Sequence, residues 1–242
     1  MDTYSTLGAA QAVAGNSYVG RGIIIGSTAD GSKAAAAYFI TGRSKNSRNR
    51  IFVKKDGELR TEPFDLSKVE DPALIIYSAV RSVKNTLIVT NGDQTDTVYD
   101  FIKAGRSFED ALRTREFEPD APNFTPRISG AVSFGHGGFS YKLSILKSAD
   151  ARGTACVRQF FEYPAVAGLG HFIHTYEHDG DPVPSFRGEP VRINIPDDID
   201  ELTGELWSAL DADNKIALYV RYTDADGGRY TDRLINKLTE NI

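Results

Sequence analysis

The sequence predicts an α+β fold in which two mainly antiparallel sheets carry helices on their outer sides. Strand-like segments come in pairs that short turns join, whereas the helical segments are grouped between those pairs. A parallel α/β fold would instead alternate single strands with single helices. No internal repeat and no Gly/Ser-rich linker interrupts the 242 residues. We therefore predict one domain over residues 18–242, preceded by an N-terminal extension over residues 1–17.

Composition and charge argue against several classes of protein. The formal net charge is -5 and the pI about 5.4, which disfavours general binding to nucleic acid. No apolar run approaches the roughly 18 residues of a membrane span, and residues 1–17 lack the basic start of a signal peptide. Cys156 is the single cysteine, so it has no partner for an internal disulfide. We therefore expect a cytoplasmic protein that binds neither nucleic acid nor membrane.

The first predicted elements are strands. Residues 18–26 (YVGRGIIIG) are mostly apolar, and residues 33–42 (KAAAAYFITG) follow them after a turn at Asp30 and Gly31. The four consecutive alanines are unusual in a strand. Their small side chains favour close packing of two sheets, and a short helix is the alternative. Residues 50–55 predict a third strand.

A helix is predicted next, over residues 71–83. Asp71 is typical of an N-cap and Pro72 of a first helical position, and apolar residues follow. In such a helix Tyr77 and Arg81 would lie four residues apart on one face.

The remaining elements follow from apolar periodicity, caps and turns. Gly105 is typical of a helix end, and Ser107 with Asp110 resembles a capping box for the next helix. The predicted strands span 85–92, 128–134, 138–147, 154–163 and 170–176, the predicted helices span 93–105 and 198–210, and a final hairpin spans 215–236.

A basic segment contrasts with the acidic chain. Residues 31–55 contain seven Lys or Arg and no acid, and four of the seven lie within TGRSKNSRNR (41–50). Those four are Arg43, Lys45, Arg48 and Arg50. Arg supplies a planar donor fork for phosphate or carboxylate, and the interleaved Ser and Asn add neutral donors. The lack of aromatic residues favours one small anion over stacked bases, and the alternative is a solvated turn between strands.

Three further motifs are compatible with chemistry. TNGDQTD (90–96) lies where a strand turns into a helix, so free backbone N–H groups would face an anion, unless the motif is simply a capped turn. Tyr77 is either a hydrogen-bond donor or an anchor of the core. The acids Glu116, Glu118 and Asp120 are either general acid/base groups or loop charges.

Metal and nucleophile chemistry are poorly supported. His171 and His174 belong to a predicted strand, where a spacing of three directs them to opposite faces. Cys156 also lies in a predicted strand, and the sequence has no nucleophile elbow, no Walker A motif and no dinucleotide-binding motif.

Five motifs follow one another in the first 128 residues. They are YVGR (18–21), GRSKNSRNR (42–50), YSAVR (77–81), TNGDQTD (90–96) and FEPDAPNFTPRI (117–128). Together they resemble the archaeal-type IMP cyclohydrolase family and its bacterial relatives, and residues 175–190 resemble the bacterial branch. The resemblance implies a four-layer αββα sandwich of the kind found in N-terminal-nucleophile (Ntn) hydrolases, which agrees with the paired strands.

The resemblance also implies an activity. It predicts that the protein closes 5-formamidoimidazole-4-carboxamide ribotide (FAICAR) to IMP with loss of water, the last step of purine biosynthesis, with no metal and no cofactor. The expected partner is this small purine ribonucleotide, and the protein is expected to form a homo-oligomer.

Roles for single residues follow from the same resemblance. The expected catalytic residues are Arg43, Tyr77 as donor or acid, and Glu118 as base or carboxamide-orienting group. The expected substrate-binding residues are Asn91 and Thr95 at the polar edges of the substrate, and Arg21, Arg48, Arg50 and Arg127 as competitors for the 5′-phosphate. Ser47 stands where the family has proline, and Phe117 where it has tyrosine.

Two other functions stay open on the residues alone. One is hydrolysis of a different amide or formamide by the same fold. The other is binding of a purine nucleotide or phosphoribosyl compound without turnover.

Overall fold

The computed structural model of the protein describes residues 4–69, 76–135 and 137–239. The strands are β1 (Arg21–Ser27), β2 (Lys33–Thr41), β3 (Arg50–Lys55), β4 (Glu58–Pro63), β5 (Tyr77–Val83), β6 (Thr86–Thr90), β7 (Arg127–Gly135), β8 (Gly138–Ser148), β9 (Cys156–Pro164), β10 (Leu169–His174), β11 (Val191–Asn194), β12 (Lys215–Asp224) and β13 (Tyr230–Asn236). The helices are α1 (Ala9–Val13), α2 (Lys45–Arg48), α3 (Gln94–Lys103), α4 (Phe108–Arg113) and α5 (Ile199–Ala209), with a 3₁₀ turn at Leu66–Lys68.

The strands of these described residues form two antiparallel sheets. The six-stranded sheet has the order β11-β10-β1-β2-β12-β13, and the seven-stranded sheet has the order β3-β4-β5-β6-β7-β8-β9. All neighbours in the seven-stranded sheet are consecutive in sequence, and two residues separate β3 from β4, β5 from β6 and β7 from β8, a length that suits antiparallel hairpins. The first and last thirds of the chain meet in the six-stranded sheet, where β12 lies beside β2.

Three apolar clusters define four layers. The largest lies between the sheets and joins Ile23 of β1 to Val132 of β7. A second cluster packs α1 and α5 against the outer face of the six-stranded sheet and includes the buried Leu206 of α5. A third packs α3 and α4 against the outer face of the seven-stranded sheet, where Val98 contributes. The predicted αββα order is therefore confirmed, whereas the relation to Ntn hydrolases stays a prediction.

The alanine run of β2 belongs to both faces of its sheet. Ala34 and Ala36 point towards the other sheet, and Ala35 and Ala37 point towards the helical layer. The sheets approach closely nearby, since a Cβ atom on Gly130 of β7 would lie 2.5 Å from the Cδ1 atom of Ile25. The run is thus a strand, and the predicted close packing of the sheets is confirmed.

The prediction of a helix up to residue 83 is wrong over its second half. Tyr77–Val83 is β5, and the register shift against β4 leaves Ala79 as an extra residue. This bulge turns Tyr77 inward between the sheets and Arg81 outward over the ring of Tyr99 in α3. The two side chains therefore lie on opposite faces. Asp71 and Pro72 fall outside the described residues.

Most other predicted elements are confirmed to within about three residues at their ends. Ser107 caps α4 by accepting a hydrogen bond from the Asp110 backbone N–H, and Gly105 has the positive φ expected after α3. Sequence patterns missed β4, whose half-buried residues are mostly charged, and β11, which has four residues. They also missed α2 inside the basic segment.

Residues 4–17, the described part of the predicted N-terminal extension, pack against the rest of the protein. Ala9 and Val13 of α1 are buried against α5, and Leu7 pairs with Ile193 next to β11. The division into an extension and a domain at residue 18 stays a prediction. In the part of the chain that the structure describes, no helix is long and apolar enough to cross a membrane.

Candidate active site

A polar cleft opens at one end of the two sheets, where β1, β3 and the segment before β7 meet. It encloses about 240 Å³, which suits one small molecule. Its lining residues are Tyr18, Arg21, Arg43, Ser44, Ser47, Arg50, Glu118, Asp120, Asn123, Thr125 and Tyr176. Four residues that the sequence nominated separately, namely Arg21, Arg43, Arg50 and Glu118, thus share one cleft.

Arg21 reaches the cleft from the first position of β1. It has the same strand parity as Ile23, so its side chain points between the sheets. Gly20 precedes it with a φ of 74°, and a Cβ atom there would lie 2.0 Å from the Thr175 hydroxyl oxygen. The glycine of the YVGR motif is therefore needed for the backbone to enter β1 at this point.

Arg21 and Arg50 are buried cations whose guanidinium groups make no ion pair and no hydrogen bond with any described residue. They are only 8% and 6% exposed, and the Nε atom of each has no hydrogen-bond partner among the described residues. Burial and the nearby charge of Arg21 lower the pKa of Arg50. Burial also disfavours the charge on Arg21, but the Glu118 carboxylate and neighbouring tyrosines outweigh it and raise the pKa of Arg21. Such a pair favours binding of an anion from outside.

Glu118 is the buried carboxyl group of the cleft. It is 6% exposed, and its backbone N–H donates to the Thr125 carbonyl, which holds the loop before β7. Burial raises the pKa of Glu118, although Arg21 and then Arg127 oppose that effect. A carboxyl group with a raised pKa is suited to proton transfer near neutral pH.

Tyr77 lies behind the cleft, between the sheets. Its hydroxyl is 2.8 Å from the hydroxyl of Tyr38 on β2, and both residues are buried. Burial, followed by the proximity of Tyr77, raises the pKa of Tyr38 well above its ordinary value. Tyr77 also lies close enough to Arg21 and Arg50 to interact with their charges.

Arg43 forms the rim of the cleft. It makes an ion pair with Asp179 and donates to the Gly180 carbonyl at 2.9 Å. Its guanidinium carbon lies 4.8 Å from the centre of the Tyr18 ring, which stacks on Tyr176 with ring centres 5.5 Å apart. At the rim, the Arg43 cation therefore lies over the Tyr18 ring, which in turn stacks on the Tyr176 ring.

A hydrogen-bond chain holds that aromatic wall in place. The Tyr176 hydroxyl is 2.6 Å from the Thr125 hydroxyl, which also bonds the Asp120 carboxylate. From the sequence, Asp120 was either a general acid/base group or a loop charge, and Thr125 and Tyr176 had no assigned role. No local pattern connects these positions, because a distance of 51 residues separates the last two in the chain.

Residues 18–228 match the family model described as "IMP cyclohydrolase-like protein". The chain belongs to this family. Three archaeal proteins named IMP cyclohydrolase are among its relatives. The protein of Methanococcus aeolicus is 29% identical over 164 residues, which is 66% of this chain and 74% of the relative. The proteins of Methanococcus maripaludis strain C7 and Methanocella arvoryzae are 35% and 34% identical over 46% and 48% of this chain. The alignments span 56% and 58% of these two relatives, little more than half of their length.

Other residues expected from the family have partners outside the cleft lining. Arg48 donates through Nε to the Gly42 carbonyl and through Nη2 to the Asn214 side chain, so it ties the basic segment to the loop before β12. Arg127 donates to Asp93 at 2.6 Å and to Gln94 at 2.7 Å. Both arginines are therefore already paired.

The TNGDQTD motif of the family forms a support behind the cleft. The Asn91 side chain donates to the Pro126 carbonyl and accepts from the Ile128 backbone N–H, and the Thr95 hydroxyl bonds that of Thr90. A Cβ atom on Gly92 would lie 2.6 Å from an Arg127 nitrogen and 3.6 Å from a Glu118 oxygen. The turn thus packs directly against Arg127 and Glu118.

The histidines of β10 lie apart from the cleft lining. His171 bonds the Tyr141 hydroxyl at 2.7 Å, and His174 bonds the Tyr176 carbonyl at 2.6 Å. Burial lowers the pKa of each histidine to about 4. Within residues 4–69, 76–135 and 137–239, no three His, Cys, Asp or Glu side chains gather closely enough to hold a metal ion.

Proposed function

We propose that this protein is an IMP cyclohydrolase that closes FAICAR to IMP with loss of water. Membership of the IMP cyclohydrolase-like family supports the reaction class. The observation that carries the proposal is the content of the cleft, which combines one buried carboxyl group with two buried arginines that have no ion-pair partner among the described residues. A phosphoribosyl substrate would supply the missing anion, and the carboxyl group would serve the ring closure.

In the ring closure, the carboxamide nitrogen attacks the formyl carbon of the same molecule. A C–N bond forms, and the formyl oxygen leaves as water with one proton from the carboxamide nitrogen and one from the formamide nitrogen. Because both reacting groups belong to one ring system, the enzyme gains mainly by holding the conformer that brings them together. It must also stabilise the oxyanion and transfer protons to and from nitrogen and oxygen.

We assign these tasks to the catalytic residues named from the sequence. Glu118 takes the proton of the carboxamide nitrogen, which its raised pKa favours. Tyr77 donates to the former formyl oxygen as charge develops there. Arg43 stabilises the same oxyanion from the rim. Loss of one such preorganised donor costs about 3 kcal/mol in the transition state.

The proposal also ranks the four candidate phosphate ligands. Arg21 and Arg50 come first, because both line the cleft and neither guanidinium bonds an acceptor among the described residues. Arg48 and Arg127 come second, because their donors already bond protein acceptors. For the same reason we assign Asn91 and Thr95 to support of the Glu118 loop.

One assay distinguishes this function from its two alternatives. Purified protein is mixed with FAICAR, and formation of the purine ring is followed by ultraviolet absorbance, with IMP identified by chromatography. Catalytic formation of IMP supports the proposal. Release of formate would indicate a formamide hydrolase, and binding without turnover would indicate a ligand-binding protein. We also expect a homo-oligomer, which sedimentation velocity tests.

A further inference from the structure

The hydroxyl of Tyr38 makes a hydrogen bond from one sheet to the other. Tyr38 lies on β2 of the six-stranded sheet, and its hydroxyl is 2.8 Å from that of Tyr77, the first residue of β5 in the seven-stranded sheet. Both side chains belong to the apolar cluster between the sheets. The ring of Phe52 packs on Tyr38 with ring centres 5.4 Å apart, which limits movement of the Tyr38 ring.

The two hydroxyls differ in what they can reach. Tyr38 is 0% exposed, and in the described part of the chain its hydroxyl bonds only Tyr77. Tyr77 keeps 6% exposure, and both tyrosines lie near Arg21 and Arg50 of the cleft. Of the two tyrosines, only Tyr77 thus retains surface that a bound molecule can touch.

This difference decides the direction of the hydrogen bond. Each phenol has one proton, and a buried donor without an acceptor is costly. If Tyr77 donated to Tyr38, the Tyr38 proton would have no acceptor and Tyr77 could only accept from a ligand. If Tyr38 donates to Tyr77, both protons are used, because the Tyr77 proton remains available to a molecule in the cleft. Burial raises the pKa of Tyr38, so it stays a neutral donor.

We propose that Tyr38 is a positioning residue, which donates to Tyr77 and thereby directs the Tyr77 proton towards the substrate. The inference rests on the proposed ring-closing function, in which Tyr77 is the hydrogen-bond donor to the oxyanion. Tyr38 itself touches no reacting atom. Its contribution is to set the donor direction of a second tyrosine across the interface between the sheets.

The test is a double-mutant cycle of Tyr38→Phe and Tyr77→Phe, measured with FAICAR. Phenylalanine keeps the ring that packs on Phe52, so the fold is preserved and each variant is assayed well below its thermal midpoint. We expect Tyr38→Phe to lower kcat about tenfold with KM unchanged, as for loss of one hydrogen bond in the transition state. In the Tyr77→Phe background the same change should have no further effect.

A matched control is Tyr141→Phe. Tyr141 is also buried and also donates or accepts through one hydroxyl contact, but its partner is His171. Its kcat should stay at the wild-type value, which excludes a general effect of removing a buried phenolic hydroxyl.

The outcomes separate the two claims. Wild-type turnover with non-additive losses supports the positioning role. Wild-type turnover with additive losses, an effect on KM alone, or an unchanged kcat for Tyr38→Phe would overturn that role and leave the proposed function intact. No turnover by the wild-type protein would overturn the proposed function, and the role of Tyr38 with it.

Discussion

Replacing Arg50 by Met should make the unliganded protein more stable and its phosphate binding weaker. Arg50 is 6% exposed, its guanidinium lies near the charge of Arg21, and its Nε atom has no partner among the described residues. Met has a similar length and no donor to desolvate. In the unliganded protein, the substitution therefore removes an unfavourable buried charge. In the complex, it removes a cation that would bind the phosphate.

The expected changes in stability and in phosphate affinity both follow from loss of the Arg50 guanidinium. A buried donor left without a partner costs about 1–3 kcal/mol, so Arg50→Met should raise the free energy of unfolding by about 1–2 kcal/mol. In a protein of this size each kcal/mol corresponds to about 2–4 °C in Tm. A hydrogen bond to a charged group contributes about 1.5–3 kcal/mol, so affinity for a phosphate-bearing ligand should fall about 10- to 150-fold.

Thermal unfolding and calorimetric titration with IMP and inosine measure both effects. IMP and inosine differ by the phosphate, so the loss should be confined to IMP. Arg48→Met is the matched control. Its side chain bonds Gly42 and Asn214, so its loss should lower Tm instead. A lower Tm for Arg50→Met would refute the unpaired-charge argument, and an unchanged ratio of IMP to inosine affinity would refute the phosphate assignment.

Three further predictions concern proton transfer, pH and the backbone. Glu118→Gln should lower kcat with FAICAR by about 10²–10⁴-fold, because an amide cannot accept the proton; an initial rate equal to wild type would remove Glu118 as base. Burial lowers the pKa of His174 to about 4, so between about pH 6.5 and 4 the unfolded chain binds the extra proton. His174 therefore leaves the free energy of unfolding unaffected by pH above 6.5 and lowers it by about 1.4 kcal/mol per pH unit between 6.5 and 4. Urea titrations at several pH values should show a steeper fall of that free energy with acidification in wild type than in His174→Asn. Gly20→Ala should lower Tm, because the new Cβ would lie 2.0 Å from the Thr175 hydroxyl at a φ of 74°; an unchanged Tm would contradict the close approach.

Local patterns were sufficient for most of the fold. Paired strands separated by turn residues correctly indicated antiparallel sheets, and the alanines of β2 correctly indicated sheets in close contact. Patterns failed at Tyr77–Val83, where seven residues of mixed polarity satisfy a helical and an extended interpretation equally. Pairing with β4 and β6 selects the strand, and a single bulge at Ala79 then separates Tyr77 from Arg81.

For the candidate site, the sequence likewise predicted the residue types, whereas the fold determined their partners. The motifs nominated Arg21, Arg43, Arg50 and Glu118 by residue type, and all four line one cleft. The motifs did not rank the arginines, because a guanidinium has the same chemistry in sequence whether or not it has a partner. Arg127 is paired with Asp93, whereas Arg50 pairs with no residue that the structure describes, and this contrast comes from contacts across the fold.

By itself, the sequence determined the α+β class, the strand pairs, the family motifs and the set of residues able to bind an anion and move protons. Only the tertiary structure decided which cations stay unpaired, how far Glu118 is removed from water, and that Tyr38 meets Tyr77. The physical reason is that burial and hydrogen bonding depend on neighbours distant in the chain. A pKa, a free donor or an inter-sheet contact has no local signature until two sheets close over it.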